Sequence, residues 1–272
     1  MKCVYFLITA ILSVHFQNAN TQIVSQIVST LKNIDTLLDE VLNNILMIHD
    51  PYPGPTDCQQ IQKNGNKASG IYRIWPLNWE SVGSFLVYCD MDNDGGGWTV
   101  IQRRGDYKQP KEYFYKGWEE YSLGFGKLNE DFWLGNDKIF ALTNQGNYSL
   151  RIDMKDKEGN KRFALYNNFW IENEKQQYKL HVSGFTGDAG DSFGGMNGLK
   201  FTTKDTDNDR WEKNCAEAYK GGWWYGKCHR SNLNGLYLNG YHDTYADGIE
   251  WYTWKGHNYS LPEVSMKIRK MK

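Results

Sequence analysis

The segment Asp205-Thr206-Asp207-Asn208-Asp209 sets carboxylates on alternate residues, so that oxygens from one turn of chain can converge on a hard cation such as Ca²⁺. It is not an EF-hand: counted from Asp205, the sixth position is Arg210 instead of Gly and the twelfth is Ala216 instead of Glu. A second acidic run, Asp90-Met91-Asp92-Asn93-Asp94-Gly95, has Gly at its sixth position but Ile101, inside a strand-like run, at its twelfth, and is discounted as a cation loop. The remaining reactive types gather in Trp223-Trp224-Tyr225-Gly226-Lys227-Cys228-His229-Arg230-Ser231-Asn232-Leu233-Asn234-Gly235. Elsewhere His49, His181, His242 and His257 show no metal-protease spacing such as HExxH. No carboxylate pair is singled out for acid–base work, and no enzyme constellation is expected.

The elements that must position these residues begin with the compartment. Lys2, the apolar run Val4 to Val14 and Ala19 read as a secretory signal over residues 1–20, too short to span a bilayer and followed by no longer apolar run. Removing it takes Cys3 and leaves Cys58, Cys89, Cys215 and Cys228, an even count suited to an oxidising, extracellular compartment, for which three pairings are open. With 31 basic against 32 acidic residues the chain has no electrostatic footprint for nucleic acid or an anionic membrane. Asn147-Tyr148-Ser149 and Asn258-Tyr259-Ser260 fit the glycosylation sequon. Arg104-Gly105-Asp106 spells the integrin tripeptide, a match that is cheap in a chain of 272 residues.

Residues 21–50 form a second unit of the reading. Val24, Ile27, Leu31, Ile34, Leu38, Val41, Ile45 and Ile48 alternate spacings of three and four, a heptad seam that a lone surface helix has no reason to keep. With Val24, Leu31, Leu38 and Ile45 at a, the seam favours a homotrimer or homotetramer over a dimer. The competing reading is an amphipathic helix folded back on the globular part. Three prolines in residues 51–55 stop the helix and make a stiff hinge. From residue 56 to 272 the chain becomes rich in aromatics, Gly and Asn, with strand-like runs at Phe85–Cys89, Trp98–Gln102, Tyr148–Ile152 and Tyr178–Val182 separated by turn clusters. The expectation is one α+β domain with a central mixed or antiparallel sheet and long ordered loops.

The run from Trp223 to Gly235 resembles the WWxxCHxxNLNG block of the fibrinogen-related domain, the C-terminal globular module of fibrinogen chains, ficolins, tachylectins and angiopoietins. Gly95-Gly96-Gly97-Trp98-Thr99-Val100-Ile101-Gln102-Arg103-Arg104, Tyr121 to Gly126, Phe132 to Asn136 and Met266 to Arg269 extend the likeness from Asp57 to the C-terminus. It does not extend to the heptad segment, where ficolins carry collagen repeats.

The resemblance implies disulfides Cys58–Cys89 and Cys215–Cys228, the second closing a short loop for roughly 3 kcal/mol. Cys228 is then no thiolate nucleophile. It implies Ca²⁺ held by the carboxylates of Asp207 and Asp209 and the backbone carbonyls of Trp211 and Lys213. In the acetyl-binding lectins of the family a cis bond before the second Cys presents a backbone amide to the ligand. Carried over, this gives Lys227-Cys228 as the cis bond, His229 as its orienting neighbour, and Tyr219, Tyr245 and Ala246 as walls. His257 departs from the pattern, standing where many such lectins have Tyr. Fibrinogen's γ-type pocket needs acids for a peptide amino terminus, and Tyr219 and Ala246 replace them here. The expected function is a secreted, oligomeric, Ca²⁺-dependent lectin for N-acetyl groups on microbial glycans, acting by agglutination in innate immunity. An angiopoietin-like receptor ligand and a venom or clotting-related component are the rivals, and nothing in the chain names a serine protease partner.

Overall fold

The computed structural model describes residues 29–31, 33–34, 37–38, 54–77 and 83–271. Within the heptad segment the described positions are helical, and Leu31, Ile34, Leu37 and Leu38 are exposed. The other residues of that segment, with the signal reading and the first two prolines of the hinge, lie outside the described residues.

From Gly54 onward the chain is built on strands whose apolar residues alternate. In chain order these are β1 (Gly70–Ile74), β2 (Phe85–Asp90), β3 (Trp98–Arg104), β4 (Phe125–Gly126), β5 (Phe132–Trp133), β6 (Tyr148–Lys155), β7 (Lys161–Ile171) and β8 (Leu180–Gly187). Four two-residue strands follow, β9 (Ser231–Asn232), β10 (Gly240–Tyr241), β11 (Glu250–Trp251) and β12 (Tyr259–Ser260), and β13 (Glu263–Lys270) closes the chain. β13 returns to the middle of the main sheet, whose order is β1-β2-β3-β13-β6-β7-β8 with β4 and β5 beside β3. Every strand pairing in it is antiparallel. β6 shows the expected period of two, with Tyr148, Leu150, Ile152 and Met154 buried and the residues between them part-exposed.

The four strand-like runs all become strands, each longer than expected. The fourth starts two residues late, because Gln177 and Tyr178 both take positive φ (53° and 47°) and so turn into β8 instead of extending it. Helices are short: α1 (Cys58–Lys63), α2 (Trp118–Leu123), α3 (Asn136–Thr143), α4 (Cys215–Tyr219) and α5 (Tyr252–Lys255). The fold is therefore mostly sheet and loop.

The loops between β8 and β13 carry the candidate site, and buried aromatics hold them. Trp224 packs on Phe201, Trp133, Phe193 and Trp223, and its Nε1 donates to the Tyr178 carbonyl at 2.8 Å. The Asn-Leu-Asn-Gly turn works as a staple. Gln102 and Arg104, from β3, donate to the Leu233 carbonyl at 2.9 and 3.1 Å, Asn234 Nδ2 donates to the Gly222 carbonyl, and Asn232 Nδ2 to the Tyr219 carbonyl. A Cβ at Gly235 would sit 2.2 Å from the Gly248 carbonyl oxygen, so only glycine lets these two loops meet.

Candidate functional site

The acidic loop sorts its three carboxylates by what already occupies them. Asp205 accepts from the Trp118 N–H at the start of α2 and from the Thr203 hydroxyl, which commits it to joining two segments. Asp209 folds the loop onto α4: its Oδ1 accepts from Trp211 N–H at 2.7 Å and its Oδ2 from Cys215 N–H at 2.8 Å. Asp207 accepts from the Asp209 N–H at 3.1 Å and is exposed. Burial raises the Asp209 carboxyl above the usual range, and the neighbouring Asp207 carboxylate raises it further against the two N–H donors. Two carboxylates held together at this cost are the donor chemistry that a hard cation relieves. Among the described residues no hydrogen bond ends on the Trp211 or Lys213 carbonyl, so the four expected donors fit Ca²⁺. By contrast, Asp90, in the discounted run, accepts from the buried Lys267 ammonium at 2.7 Å and from Asn93.

Both expected disulfides, Cys58–Cys89 and Cys215–Cys228, are formed, and the Lys227-Cys228 peptide is cis. The Cys215–Cys228 bridge ties the acidic loop to the Cys-His run. His229 has a buried side chain (2% exposed) in a residue that is not itself buried, so its exposed part is backbone. No hydrogen bond among the described residues uses the N–H of Cys228 or His229.

Around that backbone the six expected pocket positions come together. The Tyr219 ring lies 4.6 Å from the His229 ring, and His229 Nε2 is 3.0 Å from the Ala246 carbonyl oxygen. Ala246 is buried with positive φ (61°) and donates its N–H to the His257 carbonyl at 3.0 Å. The His257 ring is 6.1 Å from that of His229 and 5.1 Å from that of Tyr245, which is 63% exposed. The result is a surface of aromatic rings, with Ala246 buried beneath it, beside two unengaged backbone donors, which suits a small neutral group with one acceptor and an apolar end. Two grooves of about 640 and 700 Å³ lie elsewhere, one around Trp170 and His181 and the other around Arg103 and Asp153.

The sequence reading missed Glu250. β11 pairs antiparallel with β9, and this brings Glu250 opposite Asn232, beneath the histidines. It is fully buried, with Oε2 2.9 Å from His257 Nδ1 and 3.7 Å from His229 Nε2. The signal was present, since a charged residue between Ile249 and Trp251 in an otherwise apolar stretch requires a partner. Tyr219 and Ala246 still stand where the γ-type pocket has acids, but one other carboxyl, Glu250, lies under the site. Burial pushes that carboxyl up to about 9, with Asp247 adding to the rise, and burial pushes His229 down to about 3, with His257 adding to the fall. The integrin-like tripeptide is also placed: Arg104 is buried against Phe114 and bonded to the Leu233 and Gly235 carbonyls. Of the sequon residues, Asn147 is exposed, whereas Asn258 Nδ2 donates to the Thr244 carbonyl and Ser260 is buried with its hydroxyl bonded to Leu236.

A sheet closed by its last strand, two short-loop disulfides and a cis bond before Cys228 define a fibrinogen-type globular domain. The model of the C-terminal globular domain of fibrinogen beta and gamma chains matches residues 54–271, and the chain belongs to that family of non-enzymatic binding domains. It is 63% identical over 217 residues to Techylectin-5A of Tachypleus tridentatus, covering 80% of this chain and 74% of that one. It is 50% identical over 220 residues to Fibrinogen C domain-containing protein 1-A of Xenopus laevis, there spanning 79% of this chain but 47% of the relative. The fibrinogen-like globe domain of human ANGPTL2 superposes with a TM-score of 0.76 at 45% identity, covering 79% of this chain and 99% of that domain. No helix among the described residues is long and apolar enough to cross a membrane.

Proposed function

We propose that the protein is a secreted lectin that recognises N-acetyl groups on glycans, with Ca²⁺ held at Asp207, Asp209, Trp211 and Lys213 as a structural brace. The observation that carries the reading is the pair of unengaged backbone donors at Cys228 and His229, bordered by Tyr219, Tyr245, Ala246 and His257. An acetamido carbonyl accepts from such a donor while its methyl lies against the exposed rings of the site, with Ala246 packed beneath them. Likeness to Techylectin-5A, whose name denotes a lectin, supports the same class. Calcium would act by fixing the loop: Asp209 bonds Cys215, and Cys215 is bridged to Cys228.

One shallow site of this kind binds at about millimolar strength, and linking several raises avidity by roughly 10² to 10⁴ on a surface of repeated ligands. The heptad segment supplies that linkage in this reading, as a homotrimer or homotetramer, and microbial surfaces rich in acetylated sugars are the target class. The likeness to the ANGPTL2 globe favours a second reading, a ligand for a protein receptor. A glycan array probed with and without chelator separates the two. Binding confined to acetylated sugars and lost with chelator supports the lectin; a blank array alongside saturable binding to cells sinks it.

A further inference from the structure

Glu250 is a fully buried carboxyl with no cation to meet it. Its Oε1 makes no full hydrogen bond and its Oε2 makes one, to His257 Nδ1 at 2.9 Å; the Gly248 N–H nearby favours the charged form and is outweighed by burial. His229 cannot serve as counter-ion: its Nε2 must carry the proton that the Ala246 carbonyl accepts, and its buried ring is held neutral. The other ionisable groups facing the pair are Asp247, His242, Tyr219, Tyr225, Tyr245, Tyr252 and Arg230. Arg230 is the cation among them; it lies over the Tyr252 ring and disfavours a charged His257, and Asp247 disfavours a charged Glu250. An ionised Glu250 would leave a buried charge with one oxygen unpaired, the costliest arrangement open to it. A protonated Glu250 leaves none, and its O–H can point only at His257 Nδ1.

We propose that Glu250 is a positioning residue of the binding site: protonated, it donates to His257 Nδ1, which fixes the ring proton on Nε2 and makes His257 a hydrogen-bond donor toward ligand oxygen. The ring is placed for that role. Nδ1 is taken by the buried acid, Nε2 has no partner among the described residues, and the side chain is 19% exposed between Tyr245 and Tyr252, whose rings lie 5.1 and 4.6 Å away. The shifts agree, since burial raises Glu250 and lowers His257. A consequence concerns specificity. A neutral acid under the site offers no counter-charge to a peptide amino terminus, whereas an Nε2–H suits a carbonyl or hydroxyl oxygen.

The identity of the ligand rests on the acetyl-binding reading; the tautomer does not. Long-range ¹H–¹⁵N correlation of the histidine rings in the full chain at pH 7 should show His257 protonated at Nε2 and bare at Nδ1, unchanged in Glu250→Gln, whose amide N–H can replace the acid's O–H. N-acetylglucosamine affinity of the wild type should fall about tenfold as pH rises through about 9, as the acid ionises and the ring proton moves to Nδ1. In Glu250→Gln the alkaline fall should be absent. A proton on Nδ1 at pH 7 overturns the proposal, and so does an alkaline fall that persists in the Gln variant. If the wild type does not bind N-acetylglucosamine at all while Nε2 carries the proton, the acetyl reading fails and the Glu250 assignment stands.

Discussion

His229 Nε2 lies 3.0 Å from the carbonyl oxygen of Ala246, and because a carbonyl can only accept, the relationship places a proton on His229 Nε2. Its buried side chain cannot take a second proton until about pH 3, whereas an exposed histidine titrates near 6.5.

The pH dependence of stability follows with opposite signs for His229 and Glu250. For His229 the unfolded chain binds more protons between about 3 and 6.5, so its contribution is complete above 6.5 and lost as pH falls toward 3. For Glu250 the folded chain binds more protons between 4.5 and about 9, so its contribution is complete below 4.5 and lost as pH rises toward 9. The two cancel between 4.5 and 6.5. Above 6.5 Glu250 alone should erode stability, by at most about 1.4 kcal/mol per pH unit. Urea unfolding at stepped pH checks this: the gap between wild type and Glu250→Gln should shift steadily from pH 6.5 to 9, and a constant gap refutes it.

Calcium should act on the loop and on the sugar site together, because the chain of contacts from Asp209 to Cys215 and through the disulfide to Cys228 is continuous. Asp207→Ala or chelation should weaken acetyl-sugar binding and speed proteolysis between Asp205 and Asn214 in parallel. If both treatments leave affinity and cleavage unchanged, the cation assignment is wrong.

The sequence was most legible where backbone chemistry is set by neighbours in the chain. The alternating apolar runs became strands, and the six pocket positions from Tyr219 to His257 meet in space. What it hid depended on pairing between distant segments. Glu250 joins the histidines only because β11 pairs with β9, and the bond from Asp205 to the N-terminus of α2 spans 87 residues that no local pattern links. The strand expected from Tyr178 starts two residues later, at Leu180, because of two positive-φ residues that no side-chain pattern announces.

Acetyl recognition should depend on the methyl and carbonyl instead of the sugar ring. N-acetylglucosamine, N-acetylgalactosamine and acetate should compete for immobilised ligand, and glucose should not. Equal competition by glucose and N-acetylglucosamine would sink the pocket assignment.

Arg104 should report on folding and not on cell attachment. Its guanidinium is 3% exposed, donates to the Leu233 and Gly235 carbonyls, and stacks 3.8 Å from the Phe114 ring centre. Arg104→Ala removes those charged hydrogen bonds and leaves a cavity, which should cost about 3 kcal/mol or more. Asp106→Ala touches only the exposed Lys108 pair and should cost less than about 1 kcal/mol. Thermal unfolding of the two variants checks the contrast, and equal melting temperatures would mean that Arg104 is not buried as described.

Oligomerisation should reside in residues 21–50. The described helical positions leave Leu31, Ile34, Leu37 and Leu38 exposed, at 56, 46, 58 and 58%, and four large apolar side chains this close in the chain are the kind of surface that a second copy would cover. A chain beginning at Pro55 should be monomeric, bind acetylated sugar weakly and lose agglutination. Leu38→Asp should reproduce that loss in the full chain, since a charge in the centre of a heptad seam costs several kcal/mol unless paired. With Cys3 removed as part of the signal segment, the other four cysteines are used in the two disulfides, and reduction should not be needed to reach the monomer. Light scattering of the full-length protein decides: a trimer or tetramer fits Leu31 and Leu38 at a with Ile27, Ile34 and Ile48 at d, and a monomer would mean that the helix packs on its own globular domain.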